Sequence, residues 1–289
     1  MSLSDSCVRP VDGAVADVDR VVRRTALTGV GAFRCPPSHP RFGDSGPIRN
    51  HCFVFPRTTS RIEHDRGGRF IADPTVVSLY NAGQAYRRAV VSPEGDYCDY
   101  FVVASSVLRD ALAHAGITRG DRDEAALFGR AYVRSDARLY ARQRVLFRQA
   151  RTGSADDLEI ESGVCGLLAR VVAAHGDGRD RSMSVSVQAR RKVEEVRQFL
   201  AVEYTQPASL EALARRVEMS PYHLSRVFRC ITGYSMHQYR LQLRLRAALS
   251  RLSQGQDLTT LALDLGFSSH SHFTATFRRV FGHPPSAWR

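Results

Sequence analysis

Residues 257–289 read Asp-Leu-Thr-Thr-Leu-Ala-Leu-Asp-Leu-Gly-Phe-Ser-Ser-His-Ser-His-Phe-Thr-Ala-Thr-Phe-Arg-Arg-Val-Phe-Gly-His-Pro-Pro-Ser-Ala-Trp-Arg. Leu258, Leu261, Ala262 and Leu265 fall at i, i+3, i+4 and i+7, which is one face of a helix. Asp257 before them is a residue type that caps helix N-termini. A second short helix follows a break containing Gly266, with Ser269 as its cap and Phe273 and Phe277 on its inward side. Gly282 supplies the left-handed residue that stops it. The same pattern already runs from Ser209 to Arg240. Its first helix carries Leu210, Leu213, Ala214 and Val217. Its second is capped by Ser220, starts at Pro221, where a missing N–H costs nothing, and points Leu224 and Phe228 inward. Gly233 then matches Gly282, Tyr239 matches Trp288, and Arg240 matches Arg289.

Short helix, tight turn, short helix is the helix-turn-helix layout, in which the second helix presents its polar face to DNA. Two copies agreeing at core, stop and trailing aromatic make the pattern far more specific than one. Between them, Ser235–Leu252 contains no Pro or Gly and keeps Leu241, Leu245, Ala248, Leu249 and Leu252 at helical spacing. As one helix it would be roughly 27 Å long. That length suits two reading helices held near one DNA turn, about 34 Å, apart. Arg240, Arg244, Arg246 and Arg251 on or near this rod are read as phosphate contacts or as its solvated face.

Charge points the same way. The 289-residue chain has a net charge of +12. Residues 190–289 carry 15 Lys/Arg against 7 Asp/Glu, so they hold +8 of it. A basic domain of this kind favours an anionic partner, most often nucleic acid.

On Ser209–Phe228 and, above all, Leu265–Arg289, the sequence resembles the AraC/XylS family of transcription regulators. The resemblance covers about residues 190–289 and implies a DNA-binding domain of seven helices. It also implies direct reading of two successive major grooves. Carried over by position, the base-facing residues are Tyr222, Ser225 and Arg226 in the first unit and His270, Ser271 and Thr274 in the second. Arg226 can make a bidentate contact to guanine, and Ser and Thr serve several bases. Arg229 and Arg278 are expected on phosphate. Ala275 aligns with Arg226, so the second unit is expected to select bases less. The implied partners are double-stranded DNA, a second copy of the chain in a homodimer, a small-molecule effector and, for an activator, RNA polymerase. No cofactor is implied.

The first half is read from alternation. Short apolar runs at Cys52–Phe55, Phe70–Ile71, Val76–Leu79 and Cys98–Val103, punctuated by Gly, Pro, Asp and Asn, predict a small β-barrel or sandwich. Helical stretches follow at Ser106–His114, Ser135–Arg151 and Asp157–His175. The expected fold class is therefore α+β: a cupin-like β domain with helices, followed by an all-α domain. The expected division is a tail over 1–20, a β sensor over 21–105, a helical dimerisation segment over 106–175, a linker over 176–188 and the double helix-turn-helix domain over 189–289. In the sensor, Gly83-Gln-Ala-Tyr86 resembles the cupin Gly-x-x-His but puts tyrosine at the ligand position, so no catalytic metal is expected. Tyr80, Asn81, Tyr86 and Arg87 are the candidate polar lining of an effector pocket.

Other classes are weaker. The cysteines Cys7, Cys35, Cys52, Cys98, Cys165 and Cys230 form no C-x-x-C pair and no zinc spacing, and are expected as free thiols. No Gly-x-Ser-x-Gly elbow, His-Glu-x-x-His helix or phosphate-binding glycine loop occurs. No run approaches the ~18 apolar residues of a membrane span, so a cytoplasmic location with no membrane partner is expected. The competing readings are a cupin-type metalloenzyme fused to a DNA-binding module, and a DNA-binding dimer that answers to no effector.

Overall fold

The structure is a computed structural model that describes residues 18–44, 46–65, 68–117, 126–176 and 185–289. The chain divides into two compact units, Met1–Gly178 and Arg179–Arg289. The first is built on two antiparallel sheets. The larger has the order β1-β2-β8-β3-β6-β9 and contains β1 (Asp19–Arg24), β2 (Thr28–Cys35), β3 (His51–Pro56), β6 (Val76–Tyr80), β8 (Asp96–Val103) and β9 (Tyr132–Arg134). The smaller has the order β5-β4-β7, from β4 (Ser60–His64), β5 (Gly68–Ala72) and β7 (Tyr86–Val90). Of the two expected forms it is the sandwich: among the described residues the sheets stay open, with no closed barrel.

Alternation explains the layering. In β3, Cys52 and Val54 face the small sheet and join one core with Ile62, Phe70 and Ala72 from it. Phe53 and Phe55 point the other way and pack on Phe101, with ring centroids 5.3 and 5.8 Å away. That outer face is covered by helices, so all six residues of β3 are buried. The helices are α1 (Ser105–His114), α2 (Ala137–Thr152) and α3 (Asp157–Gly176). α2 packs on β1 and β2, α3 on β9 and on both other helices. A buried ion pair joins helix to sheet, Arg144 Nη1 lying 2.5 Å from Asp99 Oδ2.

The second unit holds α4 (Val187–Val202), α5 (Leu210–Arg216), α6 (Pro221–Thr232), α7 (Met236–Arg251), α8 (Leu258–Asp264) and α9 (His270–Phe281). These are six α-helices among the described residues, against the seven that the resemblance implies; two 3-10 turns, Leu252–Gln254 and Pro285–Trp288, accompany them. Each cap read from the sequence is made: Ser209, Ser220, Asp257 and Ser269 all accept backbone N–H bonds from the first turn. Accepting from Thr260 and Thr259 also lowers the pKa of the Asp257 carboxyl. Ser235 and Gln238 close a capping box on α7. The first core gathers Val193, Val196 and Leu200 of α4 with Leu213, Leu224, Phe228, Tyr239 and Leu243.

Two segment boundaries shift. Residues 1–17 of the expected tail and 177–184 of the expected linker lie outside the described residues. Asp19 and Arg20 begin β1 rather than ending a tail, and Ser186–Gln188 cap and open α4. No helix among the described residues is long and apolar enough to cross a membrane.

Candidate nucleic-acid interface and sensor cavity

The two helix-turn-helix copies agree in three dimensions. Tyr222 in α6 and its counterpart Ser271 in α9 are both exposed; Ser225 and Thr274 are both half-buried. Arg226 and Ala275 are exposed, as are Arg229 and Arg278. His270 is half-buried, with Nε2 3.3 Å from the Thr274 hydroxyl. Beneath these faces lie the fully buried Leu224 and Phe228, then Phe273 and Phe277. The trailing aromatics match too. Tyr239 meets Phe228 edge-on at 5.3 Å, and Trp288 meets Phe277 at 6.4 Å. Arg240 and Arg289 each donate to a carbonyl ahead of their own unit's first helix, Gln206 at 2.9 Å and Gln256 at 2.8 Å.

That last contact corrects the reading of the arginines on the rod as phosphate contacts or solvated groups. Arg246 is fully buried. Arg251 pairs with Asp264 at 2.6 Å. Arg244 is a clamp. Its Nε donates to Tyr204 O at 2.7 Å, Nη1 to Gly266 O at 2.6 Å and Nη2 to Thr205 O at 3.0 Å. One side chain on α7 thus ties the turn of the second helix-turn-helix to the loop entering the first. The closeness of that approach explains Gly266. Its φ is +77°, and a Cβ there would lie 2.2 Å from Thr205 O. Replacing Arg244 by methionine strands three carbonyls, with an expected loss of about 2 kcal/mol in this unit. Calorimetry of the full chain reads it, and Arg244→Lys should recover only part. An unchanged C-terminal transition would show the clamp to be idle.

In the N-terminal unit a cavity of about 40 Å³ lies between the sheets. Its polar wall comes from Asp19, Ser78, Tyr80, Tyr86, Asp96 and Tyr100. Tyr100 donates to Asp19 Oδ1 at 2.6 Å. Of the four residues expected to line a pocket, Tyr80 and Tyr86 do and two do not. Asn81 turns away and clasps Phe128, Nδ2 donating to its carbonyl at 2.9 Å and Oδ1 accepting its N–H at 2.8 Å. Arg87 is exposed on the outer face of β7. The guanidinium beside the cavity belongs to Arg88. It donates to the Tyr86 hydroxyl, lies 3.4 Å from Asp96 Oδ2 and stacks over Phe33 at 4.4 Å. His64 is buried against Phe70, Tyr80 and Tyr86; that burial pulls its pKa down to about 4. Burial also pushes the Cys98 and Cys35 thiols up, opposing a thiolate role. Among the described residues no group of three His, Cys, Asp or Glu could hold a metal ion.

The Helix-turn-helix domain family matches residues 213–289. Regulatory protein SoxS of Salmonella typhimurium is 33% identical over 85 residues, 29% of this chain and 79% of that protein. The chain belongs to the AraC/XylS family of transcription regulators. The bifunctional transcriptional activator/DNA repair enzyme Ada of Escherichia coli is 38% identical over 72 residues, 25% of this chain and only 20% of Ada. Only the helix-turn-helix region is shared with it. The ToxT structure from Vibrio cholerae aligns over 91% of this chain and 97% of that one, at 12% identity and a TM-score of 0.36.

As a member of the AraC/XylS family the protein is a DNA-binding transcription regulator, and the helix-turn-helix match lies in its basic C-terminal unit. Besides the rod arginines, what the sequence reading missed in this AraC/XylS chain lies in the other unit. Strand period two puts Arg88, not Arg87, on the same side as Tyr86. Applied to β6 and β8, the same rule gathers Ser78 with Tyr80 and Asp96 with Tyr100.

Proposed function

We propose that this regulator recognises a half-site by laying α6 and α9 in two successive major grooves on one face of the duplex. Tyr222, Ser225 and Arg226 read bases in the first groove, His270, Ser271 and Thr274 in the second, and Arg229 and Arg278 bind phosphate. The observation that carries this is the position-by-position match in exposure between the two helices. The 16-residue α7 between the units, about 24 Å long, supports the spacing. A homodimer paired through the helices of the N-terminal unit would bind two half-sites, and a small-molecule effector in the inter-sheet cavity would control it.

Selection of bound fragments from random DNA gives the site, and substitution tests the roles. Arg226→Ala should cost about 1–3 kcal/mol at one base position and relax the preference there. Arg229→Ala should weaken binding evenly across sequences and flatten the salt dependence by about one charge. An even loss for Arg226→Ala would move that residue to the phosphates and remove its reading role.

A further inference from the structure

We propose that the inter-sheet cavity takes a small ammonium ion: an apolar ring or short chain whose polar end is a protonated amine. The proposal rests on the effector reading above and names the chemistry of that effector. Ser78 is 1% exposed, and its Oγ has no hydrogen-bond partner in the protein. It lies on the cavity wall. A buried hydroxyl left unpaired is costly, so such groups in native folds point to a ligand or water.

The charges around it choose the ligand. Two carboxylates, Asp19 and Asp96, line the cavity, and among the described residues no Lys, Arg or His does. The neighbouring guanidinium, Arg88, stands behind the wall, paired with Asp96, donating to the Tyr86 hydroxyl and stacked over the Phe33 ring. An anionic ligand would enter against the Asp19 carboxylate, while the charge of Asp96 is offset by Arg88. A neutral ligand would use neither charge. An ammonium ion supplies donors to a wall rich in acceptors, and Tyr80, Tyr86 and Tyr100 on that wall are aromatic residues of the kind that attract cations. Phe33, Ile48, Val54 and Ile62 line the remainder and fit an apolar body.

The test uses the full chain and matched series of alkyl and arylalkyl ammonium ions, alcohols and carboxylates, for example 2-phenylethylammonium, 2-phenylethanol and 3-phenylpropanoate. Thermal shift and titration calorimetry should show ammonium ions binding at least tenfold more tightly than the matched alcohols, and carboxylates weakest. Asp19→Asn, which keeps shape and removes charge, should weaken ammonium binding at least tenfold and leave alcohol binding unchanged. Ala72→Leu fills the cavity and should abolish both. Tighter binding of alcohols or carboxylates, still lost in Ala72→Leu, would overturn the ammonium assignment while leaving an effector cavity. No response across all three series overturns it as well. The effector reading fails separately if Ala72→Leu leaves regulation of an operator-driven reporter unchanged.

Discussion

Asp99→Asn lowers the stability of the N-terminal unit by about 3–5 kcal/mol, the usual cost of breaking a buried ion pair from one side. Asp99 stands on the helix-facing side of β8 and is fully buried. Arg144 Nη1 donates to its Oδ2 at 2.5 Å, and Arg57 Nη1 is 3.7 Å from Oδ1. The Arg144 side chain is itself only 12% exposed. Asparagine keeps the shape and removes the charge, so two guanidinium groups lose the carboxylate that neutralises them away from bulk water. Urea unfolding should show a lower midpoint with an unchanged slope. Asp99→Asn combined with Arg144→Met should recover part of the loss, because the stranded cation is then gone. A single-mutant loss under about 1 kcal/mol would mean that the pair behaves as a solvated one.

Phe277→Ala removes the centre of the second reading unit, and the expected cost is again about 3–5 kcal/mol. Phe277 is fully buried. Its ring centroid lies 5.6 Å from Phe273, 4.6 Å from Phe281 and 6.4 Å from Trp288. No neighbouring side chain can refill that space without giving up its own contacts. The functional consequence follows from the duplication. α9 loses its seat while α6 keeps its own, built on Phe228 and Tyr239, so a DNA footprint should shrink from two grooves toward one. Phe277→Leu fills more of the space and should keep both grooves protected. A full two-groove footprint from Phe277→Ala would show that α9 does not depend on this core.

The two halves of the chain were legible to different degrees for a physical reason. Helices α5, α6, α8 and α9 are short-range objects. Their hydrogen bonds join residues four apart, their caps adjoin them, and their buried faces repeat every three or four positions. Leu213, Phe228, Leu261 and Phe277 therefore announce themselves in one dimension, and the structure buries every one. Strands do not. β2 contains two glycines and pairs with β8 far along the chain, Thr28 opposite Val103. β7, Tyr-Arg-Arg-Ala-Val, carries two arginines in five residues and does not read as a strand. Its place beside β4 comes from pairing, His64 opposite Tyr86.

The sequence alone determined the duplicated helix-turn-helix, its caps and stops, the basic balance of the last hundred residues and so the class of partner. Tertiary structure decided what each polar group does. Arg244 became a clamp because Tyr204, Thr205 and Gly266 present carbonyls within its reach. Arg88 came to the cavity and Arg87 to solvent because one strand register gives neighbours opposite faces. Helical periodicity is a property of neighbours in sequence; a cavity wall or a carbonyl clamp is assembled from residues that only the folded chain brings together.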